Sequence, residues 1–297
     1  MKIMTLDIGG TAVKSGIFCD GSLADIQETP TEAEKGGKHV AGLAVQIIRR
    51  YAKHHDFEGI GISTAGQVDS RSGQIIYAND NIPGYTGMKI RSILENEFEK
   101  PVAVLNDVNA AALGEARFGA GREEKDFICL TYGTGVGGAI FTGGKLYEGS
   151  SFSAGEFGAI VVHPEEREPE KDIFSGCYER YASVTALVRS AEKCCGSITD
   201  GRAVFNRLEE PAVRECVDRW IREVVYGLAS LVHILNPSCV ILGGGVMEQE
   251  YVLKEVRKLL GAHLMESFRG ISVRKAALGN CAGMTGAAVH LTENGHS

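Results

Sequence analysis

Apolar positions recur along this chain with two periods, a strand period of two and a helix period near 3.6, and their order of alternation repeats once. Residues 2 to 27, KIMTLDIGGTAVKSGIFCDGSLADIQ, form three β-rich runs broken at Gly9-Gly10 and Asp20-Gly21, which predicts an antiparallel meander. From His39 to His54 the helical period takes over, with Val40, Leu43, Ala44, Ile47, Ile48 and Tyr51 on one face. A buried strand is predicted over 59–63, then a loop, AGQVDSRSG, a helix from about Lys89 to Glu99, a strand from Val102 to Leu105 and a helix beginning near Asn109. The second round opens at Phe127 with FICLTY, GAIFTGG and KLYEG and continues as mixed loop and helix from 150 to 235. A buried strand, CVILGG, a helix from about Glu250 to Leu264, a strand ISVRKAAL and a small-residue helix from Ala282 to Thr292 complete it. One strand-rich α/β plan used twice predicts two similar lobes with a cleft between them. The expected lobes are 1–118 and 119–281, with the C-terminal helix, 282–297, packing back on the first.

Composition narrows the class. At 297 residues the chain is long for one domain, and 44% hydrophobic with 23% charged residues is ordinary for a water-soluble globular protein. Glycine stands out, with 38 Gly against 7 Pro, so many turns must let backbone approach a neighbour or take positive φ. A net charge of -7 argues against nucleic-acid or anionic-membrane partners. No apolar run approaches a membrane span, and Asp7 interrupts the only candidate leader, which points to the cytoplasm. The eight cysteines lie mostly in apolar runs without a paired CxxC pattern and read as reduced thiols.

Five places carry candidate chemistry. Asp7-Ile8-Gly9-Gly10-Thr11, with Lys14 beyond, is a strand and tight turn whose N–H groups can cradle phosphate oxygens, or simply a hairpin turn. Gly133-Thr134-Gly135-Val136-Gly137-Gly138 fits GxGxxG, but β-branched residues follow where a dinucleotide fingerprint needs a helix. It reads as a second strand-turn-strand phosphate loop or as a structural hairpin. Gly243-Gly244-Gly245 lies between a buried strand and a helix, where backbone can pass a flat ligand or pack closely. Asn106-Asp107 sits at the carboxyl end of a strand, as a helix cap or as a ligand-binding pair. Glu156 and Glu179 are acidic residues beside glycines, each a surface carboxylate when taken alone. His233, in an apolar helical run, reads as a core histidine, as Trp220, Val224, Val225 and Leu228 read as core.

Taken in order, DIGGTAVK, NDVNAAALGE, LTYGTGVGGAIF, AGEFG, GCYERYAS and ILGGGV resemble the ROK family of bacterial sugar kinases and sugar-responsive repressors, within the sugar kinase and actin superfamily. The resemblance runs from Lys2 to about Leu291. It implies two ribonuclease H-like lobes and transfer of phosphate from ATP, with Mg²⁺, to a hexose or hexose-derivative hydroxyl, most simply the 6-hydroxyl. Residue by residue it implies that Asp107 is the general base and that Asn106, Glu156, Glu179, Gly66 and Asn81 line the sugar pocket. Asp7, Gly9, Gly10, Thr11 and Lys14 would form the first phosphate loop, with Asp7 holding Mg²⁺ through water. Gly133, Thr134, Gly135 and Gly137 would form the second, and Gly243, Gly244 and Gly245 would border adenosine. It further implies a homodimer.

The chain departs from that family twice. Most members carry a histidine at the fourth position of ExGH and a CxCGxxGC run that together bind a structural zinc; here the fourth position is Ala159 and only Cys177 of the run remains. A single thiolate cannot build a four-coordinate zinc site, so no structural zinc is expected and the loop 163–180 should be held by packing. The missing histidine also contacts the sugar near C1 and C2 in that family, so a substrate substituted there is expected. With only six residues ahead of Asp7 in the sequence, the repressors' DNA-reading module is not expected. The remaining alternative is a catalytically silent sugar sensor or scaffold.

Overall fold

A computed structural model describes residues 1–294. In chain order the strands and helices of the first half are β1 (Lys2–Ile8), β2 (Ala12–Cys19), β3 (Ser22–Pro30), α1 (Gly37–Ala52), β4 (Gly59–Thr64), β5 (Gln67–Asp69), β6 (Gln74–Tyr77), α2 (Ile90–Phe98), β7 (Val102–Asn106) and α3 (Asp107–Phe118). There follow β8 (Phe127–Tyr132), β9 (Val136–Thr142), β10 (Lys145–Tyr147), α4 (Glu179–Ala182), α5 (Val184–Cys195), α6 (Gly201–Asn206), α7 (Pro211–Leu235), β11 (Cys239–Gly243), α8 (Glu250–His263), β12 (Ser272–Lys275) and α9 (Ala282–Asn294). The end of the expected C-terminal helix, 295–297, lies outside the described residues.

The chain divides into two compact units. The first holds Met1–Glu123, Lys145–Ala154 and the chain from Ala277 on; the second holds Glu124–Gly144 and Gly155–Ala276. Sequence patterning places 145–154 with the second half, whereas specific polar contacts tie it to the first. Ser70 Oγ donates to Glu148 Oε2 at 2.9 Å, Ser153 Oγ donates to Gln67 Oε1 at 3.0 Å, and the Arg71 guanidinium lies 5.2 Å from the Phe152 ring centroid. These are pairs far apart in sequence, which periodicity cannot register.

In the first unit the sheet order is β3-β2-β1-β4-β7, with the β1–β2–β3 meander antiparallel and β1, β4 and β7 parallel. β4, GIGIST, is buried along its whole length, as expected of a parallel strand covered on both faces. α1 buries Val40, Ala41, Ala44, Ile47, Ile48 and Tyr51, the predicted stripe with Leu43 moved to its edge. The loop AGQVDSRSG is in part a strand: β5 and β6 form a small antiparallel hairpin, closed by Asp69, which accepts from the Arg71 and Ser72 N–H groups at 3.0 and 3.3 Å. Its polar composition hides it, because Val68 and Ile75 are its only buried apolar side chains.

α9 packs against α3 and β4 through small residues. A Cβ at Gly114 would meet the Ala282 carbonyl oxygen at 2.7 Å, and one at Gly61 the Ala287 carbonyl oxygen at 2.7 Å. At Gly286 a Cβ would overlap the Ala110 carbonyl oxygen outright. The glycine and alanine content of α9 is therefore a packing requirement. Glu115, fully buried on α3, accepts from the N–H groups of Ala120, Ala277 and Leu278 at 2.7 to 3.0 Å, fixing the entry to α9.

The second unit repeats the plan. β9 and β8 are antiparallel, β8, β11 and β12 are parallel, and they lie in the order β9-β8-β11-β12. Its core centres on α7, where Trp220, Val224, Val225 and Leu228 are buried, Trp220 Nε1 donating to the Ala182 carbonyl at 2.9 Å. His233 is only half-buried and accepts from the Met265 N–H at 3.2 Å, which corrects its reading as a core residue. No helix among the described residues is long and apolar enough to cross a membrane.

Candidate active site

In the first unit, β7 ends in Asn106 and α3 begins at Asp107, two residues before the expected start. Asn106 caps the helix: its Oδ1 accepts from the Val108 and Asn109 N–H groups at 3.0 and 3.1 Å. Its Nδ2 donates to the Gly66 carbonyl at 2.9 Å and to Asp107 Oδ1 at 2.8 Å. The cap and the site are thus one residue, and the choice between them that the sequence poses does not arise. Gly66 meets this bond from a backbone at φ 94°, where a Cβ would press on the Tyr77 carbonyl oxygen at 2.8 Å.

Asp107 Oδ1 is held twice, by Asn106 and by the Val108 N–H at 2.9 Å, while Oδ2 receives no hydrogen bond from another described residue. Burial, and then the negative charge of Asp7, raise this carboxyl to about 7 against the opposing pull of the Val108 and Asn106 donors. The residue still keeps a partly exposed surface, which a group that must meet a substrate requires.

Asp7, near the end of β1, is raised mainly by burial, with the Ser63 hydrogen bond and the Lys14 charge acting the other way. Ser63 Oγ donates to Asp7 Oδ1 at 2.6 Å, and Lys14 faces Asp7 across the β1–β2 ladder. Gly283, in the first turn of α9, comes so near that a Cβ there would lie 2.7 Å from Ser63 Oγ and 3.0 Å from Asp7 Oδ1. Ser63 and Gly283 escaped sequence reading; the doubled glycine of CAGMTGAA was the available signal for close approach. The turn between β1 and β2 is closed by Gly9, whose N–H donates to the Ala12 carbonyl at 3.1 Å. Gly10 and Thr11 at its tip are exposed, and their N–H groups make no bond among the described residues. Asn81 is exposed, its N–H given to Asn79 Oδ1 at 3.2 Å, and no described hydrogen bond joins it to Asn106 or Asp107.

In the second unit, Gly133 to Gly138 pass directly into β9, so the helix of a dinucleotide fingerprint is absent. Gly133 N–H donates to the Gly135 carbonyl at 3.0 Å, and the loop is tied to α5 where Val184 N–H donates to the Gly133 carbonyl and Thr185 Oγ1 to the Thr134 carbonyl, at 2.9 and 2.8 Å. Glu179 Oε2 accepts the Val136 N–H at 3.0 Å, and a Cβ at Gly135 would overlap that oxygen. One carboxylate oxygen of Glu179 is therefore committed to the glycine loop. Glu156 and Ala159 are exposed, at either end of the turn around Phe157–Ala159, and a Cβ at Gly158 would come 3.4 Å from Glu179 Oε2.

Gly244, at φ 97°, lies where a Cβ would overlap the Tyr132 carbonyl oxygen. Gly245 opens a 3-10 turn, Gly245–Glu248, ahead of α8. A cavity of about 700 Å³ lies between these loops, lined by Tyr132, Gly133, Thr134, Val184, Thr185, Val188, Thr199, Asp200, Gly201, Arg202, Phe205, Gly245, Val246 and Gln249. Mostly apolar walls with a few polar groups suit a flat, partly polar ligand.

The loop 163–180 is held by packing, with Cys177 and Tyr178 buried, and also by polar links that the sequence does not show. Arg167 Nη1 donates to the Ile173 and Ser175 carbonyls at 2.6 and 2.8 Å, Arg180 pairs with Asp172 at 2.9 Å, and His163 bridges Glu165 and Glu223 at 3.0 and 2.9 Å. Cys177 Sγ lies 3.9 Å from the Ile173 carbonyl.

The sequence matches the ROK family over residues 3–294. This chain belongs to the ROK family. It is 33% identical to a beta-glucoside kinase of Klebsiella pneumoniae over 99% of this chain and 97% of that one. It is 32% identical to a glucokinase of Halalkalibacterium halodurans over 95% of this chain and 92% of that one. Among solved ROK structures, a glucokinase from Streptomyces griseus in complex with glucose and AMPPNP aligns with a TM-score of 0.85 at 32% identity, covering 97% of this chain and 98% of that one. The two-lobed sugar kinase fold expected from the motifs is the fold of these ROK relatives.

Proposed function

We propose that this ROK protein is an ATP-dependent kinase of a hexose or hexose derivative, with Asp107 as general base. The observation that supports it most is the state of Asp107: one oxygen clamped by Asn106 and Val108 N–H, the other open, and a carboxyl raised to about 7. A sugar hydroxyl is too weak an acid to ionise beforehand, so Asp107 Oδ2 accepts its proton as the oxygen attacks the γ-phosphorus. Asn106, Gly66, Asn81, Glu156 and Glu179 orient the sugar, most simply for reaction at its 6-hydroxyl. Adenosine occupies the cavity beside Gly243, Gly244 and Gly245, and the turns at Gly9 to Thr11 and Gly133 to Gly137, with Lys14, bind phosphate oxygens.

Asp7 fits a hard divalent cation, since it offers a carboxylate fixed by Ser63 on one oxygen with no described hydrogen bond on the other. Mg²⁺ held there through water would neutralise charge on the transferred phosphoryl group. The protein is further expected to be a cytoplasmic homodimer.

The substrate is expected to bear a group at C1 or C2, because Ala159 stands where most of the family has a sugar-contacting histidine. A lost donor is worth about 1 kcal/mol, so glucose should lose roughly fivefold or more relative to a substituted sugar. A coupled assay of ADP release across glucose, mannose, fructose, N-acetylmannosamine, N-acetylglucosamine and a β-glucoside reads this. Higher kcat/KM for a β-glucoside or an N-acetylhexosamine is expected, and a strong preference for plain glucose overturns the assignment of Ala159. ATP turnover with none of them would favour a silent sensor.

Activity should also follow the titration of Asp107. Only the ionised carboxylate can accept a proton, so kcat/KM for the sugar is expected to rise with pH, reaching its plateau above about 7 and falling about tenfold per pH unit below it. A profile flat down to pH 5 would assign the base elsewhere.

A further inference from the structure

Two of the eight cysteines, far apart in sequence, converge on one guanidinium. Cys194 lies in the last turn of α5 and is exposed; Cys216 lies near the start of α7 and is buried. Arg219, one turn beyond Cys216, directs a single nitrogen, Nη2, to both sulfurs, at 3.6 Å to Cys194 Sγ and 3.3 Å to Cys216 Sγ. Cys216 Sγ also reaches the Ser190 carbonyl at 3.9 Å, which seats it against the same turn of α5 that carries Cys194. Two thiols on facing helices around one cation are arranged for reaction with each other. Neither belongs to any motif of the kinase site.

We infer that Cys194 and Cys216 form an oxidation site for hydroperoxides, in which Cys194 is the attacking sulfur and Cys216 resolves it as a disulfide joining α5 to α7. The roles follow from exposure and charge. Cys194 meets solvent, where a hydroperoxide can reach its sulfur, and the Arg219 guanidinium lies beside it. Burial, and then the neighbouring Cys194 thiol, hold Cys216 above the ordinary thiol range despite Arg219, so it remains a thiol until its neighbour has changed. The Cys194 thiolate attacks one peroxide oxygen, the O–O bond breaks, and the leaving hydroxide takes up a proton as water, giving a sulfenic acid. The Cys216 sulfur then attacks the sulfenic sulfur, the S–O bond breaks, and a second water leaves with the Cys216 proton. Two thiols are oxidised by two electrons and one hydroperoxide is reduced, to two waters when it is hydrogen peroxide.

The site has a route to the nucleotide cavity. Val184, Thr185 and Val188, earlier on α5, line that cavity, and Thr199 to Arg202 and Phe205, beyond the end of α5 that carries Cys194, form another part of its wall. Closing the two sulfurs to bonding distance draws the end of α5 toward α7 and displaces that wall. On the proposed reading of the cavity as the ATP site, oxidation raises KM for ATP while KM for the sugar stays unchanged.

The test is to treat the folded protein with a small excess of hydrogen peroxide, map its disulfides by mass spectrometry of peptides, and titrate its thiols. The expected map joins Cys194 to Cys216, and the thiol titre falls by two per chain and recovers with dithiothreitol. The joined peptide should be absent from Cys216→Ala and retained in Cys195→Ala. A Cys194–Cys195 bond, or Cys194 left as thiol or sulfinate beside free Cys216, overturns the proposal. The map is read without substrate and so stands apart from the kinase assignment. If the joined protein keeps an unchanged KM for ATP, the coupling to the cavity is overturned, whereas failure of the reduced protein to turn over ATP with any sugar counts against the kinase reading alone.

Discussion

Asp107→Asn is expected to abolish phosphoryl transfer while leaving both ligands bound. The amide keeps the shape of the carboxylate, and its Oδ1 can still accept from Asn106 Nδ2 and the Val108 N–H, so the turn into α3 survives. What is lost is the one oxygen able to take a proton. General-base catalysis accounts for roughly 100-fold to 10,000-fold, and kcat should fall by that factor with sugar and ATP affinities within a few-fold of wild type. Isothermal titration supplies the affinities and a coupled assay supplies kcat. Near-normal turnover would remove Asp107 from the role of base.

The same substitution carries a stability signature opposite to that of ordinary core damage. Asp107 titrates at about 7 in the folded protein, above the value near 4 of an unfolded chain. Its contribution is therefore present in full below pH 4 and is lost as pH rises through 7, where the ionised form is held at a cost of up to about 4 kcal/mol. Asn has no such cost. At pH 8 the variant should melt at or above the wild-type temperature, as expected where a site is strained for function.

Gly286→Ala is expected to have the largest effect on stability. A methyl there overlaps the Ala110 carbonyl oxygen, a backbone atom that cannot rotate away, so α9 and α3 must separate. Overpacking of this kind costs roughly 1–3 kcal/mol or more, and a melting temperature lower by roughly 2–12 °C follows for a chain of this size. Activity should fall with it, because α3 begins at Asp107 and the first turn of α9 lies against Asp7 and Ser63 through Gly283. Gly42→Ala is the control: it lies on the exposed side of α1 with no atom within 4 Å of the added methyl, and should be stabilising by about 0.5–1 kcal/mol. Equal melting of wild type and Gly286→Ala would show that the α3–α9 contact is looser than described.

Much of this was legible before any coordinates. The doubled strand-helix plan follows from period alone, since buried strands such as CVILG and stripes such as that of α1 are local signals. The candidate carboxylate was legible only in context, because a strand ending in Asn-Asp before a helix describes a cap equally well, and Asn106 proves to do both. What was hidden depends on pairs distant in sequence. Ser63 is one polar residue at the end of an apolar strand, and only the fold brings it to Asp7. The β5–β6 hairpin buries too few apolar side chains to show a period, and the polar clamp of Arg167 in the loop 163–180 looks like solvated charge until its carbonyl partners are known. Gly135 illustrates the same limit: its glycine is required by Glu179, which lies 44 positions away in the chain.

The central claim is that this chain moves the γ-phosphoryl group of ATP onto a sugar hydroxyl, and phosphorus NMR of one reaction mixture tests it most directly. With ATP, Mg²⁺ and the best acceptor of the sugar panel, the account predicts that the γ-phosphate signal is replaced in equal amount by ADP and by a sugar phosphomonoester coupled to a CH₂ group, and that omitting the sugar stops the change. ATP consumption yielding inorganic phosphate alone, or no consumption with any sugar while ATP remains bound, would contradict it.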